Sequence, residues 1–384
     1  MHKILIGSLD NWDSCAEVPY IFKKAGCAVD VYCRKGDWLR MNWYHDLWFE
    51  APENTELFLK EFLALANSDK YTLIIITDEP LLKGLSELIN DEEVFKKVMP
   101  LSKIENKKML SSKLGFSDFC IHNSIRTPNY AFYTSEGDYD KIISTLKFPL
   151  LNKNEFSWGG TDMSIINNRQ ELDNILIQAK LNQPILFQEF IEGEEIRIDA
   201  FYHKGELLIY FCASVLNYAS NRFSYNTRRS YSNNHKLKPL LIELGKKCGA
   251  NGFANINYIY EPKSNTYYLI EMDLRTNSWL AYSQYLSDNN FITAIHNLVF
   301  NKPQADQHPK LFKEKIEIGL FYKDLKRVYW QKDIKGLFRW ILNIKGYWRF
   351  LPFYDFRLSS LITRNLMNEF IINRIKVLFS KKGK

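Results

Sequence analysis

The sequence predicts an α/β protein of two or three domains, and three observations carry that prediction. Short β-branched apolar runs at 3–6, 28–32 and 72–77 alternate with stretches of helical spacing, the pattern of a parallel sheet. A second set of strand-like runs, separated by glycine turns, follows between 148 and 214. With 384 residues, 46% of them hydrophobic, the chain can bury a core of that size.

The elements follow in order. Lys-Ile-Leu-Ile at 3–6 leads into EVPYIFKKAG (17–26), which has helical spacing and stops at a glycine. Residues 1–100 therefore read as a small Rossmann-like α/β domain. Gly7 follows the first strand without the further glycines of a dinucleotide fingerprint, which disfavours NAD. Residues 101–130 read as a helical connector ending at Arg126-Thr127-Pro128. FPLLNKNEF (148–156) is strand-like, SWGGTDM (157–163) a turn, and MSIINN (163–168) a strand again. RQELDNILIQAK (169–180) is a helix with Asn168 as its N-cap. PILFQEFIEGEEIRIDAFY (184–202) and GELLIYFCAS (205–214) are further strands. No internal repeat is long enough to suggest a solenoid.

Composition excludes several classes. The six cysteines are scattered without a CxxC pair, which suits reduced thiols and neither a disulfide framework nor a zinc site. The N-terminal apolar run is too short for a signal peptide, and no apolar segment approaches the roughly 18 residues of a membrane span. The expectation is a soluble, cytoplasmic protein. Net charge is +7, but residues 311–384 hold 17 Lys/Arg against six Asp/Glu, so the rest of the chain is slightly acidic.

Chemistry concentrates in a few stretches. In YYLIEMDLRTNS (267–278), Glu271, Asp273 and Arg275 alternate, so on a strand they share one face while Ile270, Met272 and Leu274 take the other. By itself such a strand is more often only half-solvated. Asn257, in GFANINYIYEP, lies on the strand that should pair with it, and oxygen ligands grouped this way suit Mg²⁺. Lys153 precedes the Gly159-Gly160 turn, where backbone N–H groups and a lysine can meet phosphate oxygens. Gln188 and Glu195 flank the next glycine turn. The seven histidines form no HxxxH or HExxH group, and no Ser-His-Asp or Cys-His arrangement is defensible.

These pieces, in this order, resemble the ATP-grasp superfamily of ligases. YYLIEMDLRTNS is similar to the Glu-x-Asn-Pro-Arg segment of its carbamoyl-phosphate-synthetase-like branch. The resemblance implies an ATP-grasp domain over about 101–310, with a lid at about 130–190 and the α/β domain before it. It implies ATP as cosubstrate and Mg²⁺ as cofactor, two ions, with Mn²⁺ an acceptable substitute. It further implies Lys113 and Lys153 on the nucleotide phosphates, and Ser157, Gly159 and Gly160 in the lid over them. Gln188, Glu189 and Ile191 fall in the adenine hinge and Glu195 at the ribose. Asn257, Glu271 and Asp273 become metal ligands, while Arg275 and Lys153 become the catalytic cations. Asp273 stands where the family has asparagine, and Leu274 where it has proline.

The implied reaction joins a small-molecule carboxylate to an amine, or a thiol, through an acyl phosphate. Two other classes stay open: a non-catalytic ATP-binding regulatory or scaffold protein, and a nucleotide-sugar glycosyltransferase. Arg222, Arg228 and Arg229, in the polar stretch 219–236, are candidates for an acceptor carboxylate, or else belong to a solvated loop. The basic, aromatic-rich segment 311–384 reads as helical. It packs on the protein with a solvated basic face or lies against an anionic membrane or polyanion, and no nucleic acid is expected.

Overall fold

The computed structural model describes residues 2–110, 112–155, 163–178, 184–342 and 351–380. A parallel sheet in the order β3-β2-β1-β4 opens the chain, formed by β1 (Lys3–Gly7), β2 (Ala28–Cys33), β3 (Leu47–Glu50) and β4 (Leu73–Ile76). Helices α1 (Val18–Lys24), α2 (Thr55–Ala66), α3 (Glu79–Leu88) and α4 (Glu92–Val98) complete this domain. The strands expected at 3–6, 28–32 and 72–77 are β1, β2 and β4. Edge strand β3 was not foreseen: it has four residues, none fully buried, so no apolar run marks it.

At the carboxyl ends of β1 and β4, Asp78 joins two loops. Its Oδ1 accepts from Leu81 N at 2.9 Å, capping α3, and its Oδ2 accepts from Leu9 N at 2.8 Å. That end of an open α/β sheet is where ligands bind.

After α5 (Lys113–His122) comes a four-stranded antiparallel sheet, β5-β8-β6-β7, built from β5 (Tyr130–Tyr133), β6 (Leu150–Asn154), β7 (Ser164–Ile166) and β8 (Ile185–Glu189). With α6 (Tyr139–Thr145) and α7 (Arg169–Gln178) it encloses its own core, including Ile142, Leu150, Leu172 and Phe187. Asn168 caps α7 as expected, accepting from Glu171 N at 3.0 Å.

The central sheet is antiparallel, in the order β13-β12-β9-β10-β11-β14. Its strands are β9 (Glu194–His203), β10 (Glu206–Tyr218), β11 (Asn226–Ser232), β12 (Gly252–Glu261), β13 (Thr266–Asp273) and β14 (Lys315–Gly319). Helices α8 (Leu237–Cys248) and α9 (Phe291–Val299) join the layers around it. Ile4 and Ile6 of the first sheet share one core with Phe201, Ile209 and Phe253 of the central sheet, so the two sheets pack as one body. The turn from β8 into β9 passes close to β12: a Cβ on Gly193 would lie 2.3 Å from the Tyr260 carbonyl oxygen, so only glycine fits.

Two expectations are corrected. Residues 226–232, read as part of a polar loop, form a buried strand, and the segment expected to be purely helical begins with β14, paired to β11. Beyond it, α10 (Phe321–Trp330), α11 (Ile334–Leu342) and α12 (Phe356–Ser380) share a small core of Phe321, Val328, Trp340, Leu358 and Ile362 with Ala16 of the first domain. No described helix is long and apolar enough to cross a membrane. All six cysteines are buried thiols.

Candidate active site

Two cross-strand rows build the floor of the site. Arg197, Asn257 and Glu271 face one another across β9, β12 and β13, and Asp199, Asn255 and Asp273 form the next row. Residues two apart on each strand share a face, so all six side chains stand on one side of the sheet. Asn257 Nδ2 donates to Glu271 Oε2 at 2.8 Å and Asn255 Nδ2 to Asp273 Oδ2 at 3.3 Å. Beyond this pair of rows β13 bulges: Asn257 opposes Glu271, but Tyr258 already opposes Leu269. Ile270 is the extra residue and is only half-buried, whereas Met272 and Leu274 enter the core as expected.

The amide oxygens Asn255 Oδ1 and Asn257 Oδ1 are buried without a hydrogen-bond partner among the described residues. An orphaned buried acceptor is costly, and two of them beside two carboxylates make an all-oxygen donor set that fits a hard cation such as Mg²⁺. No described group of three or more His, Cys, Asp or Glu could hold a metal. Burial and the nearby Glu271 charge push the Asp273 carboxyl above the usual carboxylate range, while Arg275 opposes them.

Arg275 leaves the end of β13 and reaches the first domain. Its Nε and Nη2 donate to Glu79 Oε1 at 3.1 and 2.9 Å, Nη2 also lies 3.2 Å from Asp273 Oδ2, and the guanidinium covers the Trp12 ring at 5.1 Å. The expected one-face set is therefore kept, with Glu79 as an unexpected fourth member from the start of α3.

The lysines approach from the other side. Lys153 Nζ, buried on β6, donates to Gln188 Oε1 at 2.9 Å. Burial lowers its pKa to about 8, with Glu271 pulling it up and Lys113 pushing it down. Lys113, at the start of α5, donates to the Glu155 carbonyl at 3.1 Å. Burial lowers its pKa too, against the attraction of Glu271, Glu155, Glu79 and Asp273. Both ammonium groups thus feel the Glu271 carboxylate. The Glu155 carboxylate accepts from Leu114 N at 3.1 Å and from the Ser112 hydroxyl, closing the N-terminus of α5.

The hinge residues divide. The Gln188 amide oxygen is taken by Lys153, so this side chain positions the lysine; the base-edge contact expected of it does not use that atom. The Glu189 carboxylate accepts from Asn129 Nδ2 and Lys147 N, both at 2.9 Å, and its backbone N–H donates to the Asn129 carbonyl. Ile191 is half-buried in the 190–193 connection. Glu195 pairs with Arg197 and accepts from the Tyr218 hydroxyl. Ser157, Gly159 and Gly160 lie outside the described residues.

Of the three candidate acceptor arginines, Arg228 and Arg229 are corrected. Arg229 is buried against Asp199 at 2.9 Å, donates to Asn226 at 2.8 Å and stacks on Trp279 at 4.3 Å. Arg228 pairs with Glu317 at 2.7 Å, and Arg222 covers Phe190 at 4.8 Å. The first two hold the sheet together. Asp13, next in sequence to Trp12, pairs with Lys323 at 2.9 Å, and Ser278 Oγ lies 3.3 Å from the Lys323 ammonium. The alternation Glu195, Arg197, Asp199 in EEIRIDAF was the signal for the missed row members, as was Asn255 two residues before Asn257. Glu79, Glu155 and Lys323 carry no local signal, because only the fold brings them in.

Residues 106–200 match the sequence model of the RimK-like ATP-grasp domain family. D-alanine–D-alanine ligase of Carboxydothermus hydrogenoformans is 20% identical over 222 residues, covering 51% of this chain and 67% of that relative. The carbamoyl phosphate synthase large chain of Saccharolobus islandicus is 22% identical over 195 residues, covering 48% of this chain but only 18% of its own length. Among solved structures, N5-carboxyaminoimidazole synthetase from Staphylococcus aureus in complex with ADP superimposes with a TM-score of 0.63 at 16% identity, covering 86% of both chains. The chain has the ATP-grasp fold, with an α/β domain before it and helices after it.

Proposed function

We propose that this chain is an ATP- and Mg²⁺-dependent ligase of the cytoplasm that joins a small-molecule carboxylate to an amine or thiol. The single observation that carries this reading is the convergence of a buried and a half-buried lysine, a guanidinium and two carboxylates with orphaned amide oxygens between the sheets. A triphosphate needs cations on one side and metal ligands on the other, and this cleft offers both.

Lys113 and Lys153 bind phosphate oxygens, Gln188 keeps Lys153 aimed, and the hinge backbone holds the base. Asn257, Glu271 and Asp273 would hold Mg²⁺, which would supply charge neutralisation for the triphosphate. The substrate carboxylate attacks the γ-phosphorus, ADP departs, and the acyl phosphate forms. The nucleophile then attacks the acyl carbon, phosphate leaves with the C–O electron pair, and the nucleophile sheds its proton. Arg275, held by Glu79 and stacked on Trp12, stabilises the charge that moves through both steps. On its far side, Lys323 and Ser278 are placed to receive the anionic group of an acceptor, exchanging Asp13 for it.

Calorimetric titration with Mg²⁺ and ATP tests the nucleotide half of this reading. The wild type is expected to bind, and Lys153→Met to lose about tenfold or more in affinity, the scale of one charge-assisted contact. Equal binding by both proteins would remove Lys153 from the phosphate site.

A further inference from the structure

Helix α11 is amphipathic in the reverse sense for a helix on a protein surface. Its inward residues are Gly336 and Trp340, the latter 7% exposed, and the opposite pole carries Ile334, Phe338, Ile341 and Leu342 at 68, 60, 55 and 84% exposure. A helix packed on its own protein turns polar residues outward; this one turns aliphatic and aromatic ones.

Its orientation is fixed. Trp340 packs edge-on against Phe321 at 5.4 Å and donates through Nε1 to buried Asp324 at 3.1 Å. Asp333 caps the helix by accepting from Gly336 N at 2.8 Å and is itself paired with Arg327 of α10 at 2.8 Å. Rotating the apolar face inward would break all of these contacts. Trp330, at the end of α10, and Phe353 and Phe356, beyond α11, are also more than half exposed.

Cations accompany this face. Lys332, Lys335 and Arg339 are exposed and have no carboxylate within ion-pair distance among the described residues. A second copy of the chain pairing isologously through α11 would bring these three cations against their own equivalents. An anionic lipid surface satisfies both features together, accepting the apolar pole at the acyl boundary and the cations among its headgroups.

We propose that the α10–α11 face docks on an anionic lipid bilayer, with Ile334, Phe338 and Ile341 as the inserted residues and Lys332, Lys335 and Arg339 at headgroup level. The contact is peripheral, since no described helix can span the bilayer. Because α10 also carries Lys323, which pairs with Asp13 of the first domain, the docked face and that ion pair share one helix.

Flotation of the full chain with vesicles of phosphatidylcholine, alone or mixed with phosphatidylglycerol, tests this. The wild type is expected to bind the mixed vesicles about tenfold or more tightly, less so at high salt, as three surface cations imply. Phe338→Glu should abolish binding to both vesicles, and Lys335→Glu with Arg339→Glu should abolish the preference for phosphatidylglycerol. Both variants change exposed side chains, and an unchanged thermal midpoint shows that they fold. Equal flotation of wild type and Phe338→Glu would overturn the proposal. So would a concentration-dependent dimer that Phe338→Glu dissolves while the wild type ignores vesicles.

Discussion

Burial draws the Lys153 ammonium down to about 8 while Glu271 pulls the other way. A phosphate anion is bound by the charged form, so ATP affinity should fall as pH rises through about 8, approaching tenfold per pH unit above it. Lys153→Arg keeps its charge throughout and should flatten that profile; a wild-type affinity constant from pH 7 to 9.5 would contradict the assignment. In the ligand-free protein the sign is opposite. Between about pH 8 and the ordinary lysine value of 10.5 the unfolded chain binds more protons at this position, so stability rises with pH across that window. Denaturant midpoints of wild type and Lys153→Met, compared over this range, check it. Glu271 and Asp273 differ in what substitution should do. Glu271→Gln removes a ligand charge that no neighbour replaces, and ATP turnover should fall about 100-fold or more, several kcal/mol of charge stabilisation. Asp273→Asn removes a charge that burial and Glu271 already oppose, and should stay within about tenfold of wild type in the same turnover assay.

Each strand that carries the site was visible as a pattern, because alternation survives without any knowledge of the partner strand. Glu271 and Asp273 were placed on one face by that alternation, Asn257 by the expected pairing of the two strands, and the hairpin sets Asn257 opposite Glu271. The bulge at Ile270 was not visible, since one extra residue in a ladder has no signature in a run of apolar residues. Nor were the partners that come from other elements. Glu79 opens α3 some 196 residues from Arg275, and its carboxylate accepts two guanidinium bonds. Glu79→Gln should cost about 1.5–3 kcal/mol of transition-state or folding stability, the range for hydrogen bonds to charged groups. Its effect on turnover should vanish in an Arg275→Ala background, measured as a double-mutant cycle. Arg228 and Arg229 invited a substrate role in sequence because arginines among serines and asparagines look solvated. They fall instead on a strand covered on both sides, where Arg229 is locked to Asp199. Asp199→Ala leaves a buried guanidinium short of its carboxylate and should destabilise by about 3–5 kcal/mol, read from chemical denaturation.

Across the molecule, the order of motifs disclosed the architecture better than any one of them did. The parallel sheet appears where the alternation of strands and helices put it, whereas β11 and β14 of the central sheet did not show as strands in the sequence. What composition left open was the last segment. Its lysines and arginines suggested one basic helical tail, yet β14 extends the central sheet, Lys323 pairs with Asp13 of the first domain, and α11 turns its apolar face outward. Charge counts average over these separate roles, which only packing distinguishes. The central claim, that the cleft couples ATP cleavage to ligation, is tested most directly by measuring the nucleotide products. Wild type and Glu271→Gln would be incubated with Mg²⁺ and ATP across a panel of carboxylic acids and amines. ADP and phosphate released in equal amounts, only when one acid and one amine are present together and not by Glu271→Gln, is the predicted result. Release of AMP and pyrophosphate, or ADP release that Glu271→Gln sustains at the wild-type rate, would contradict it.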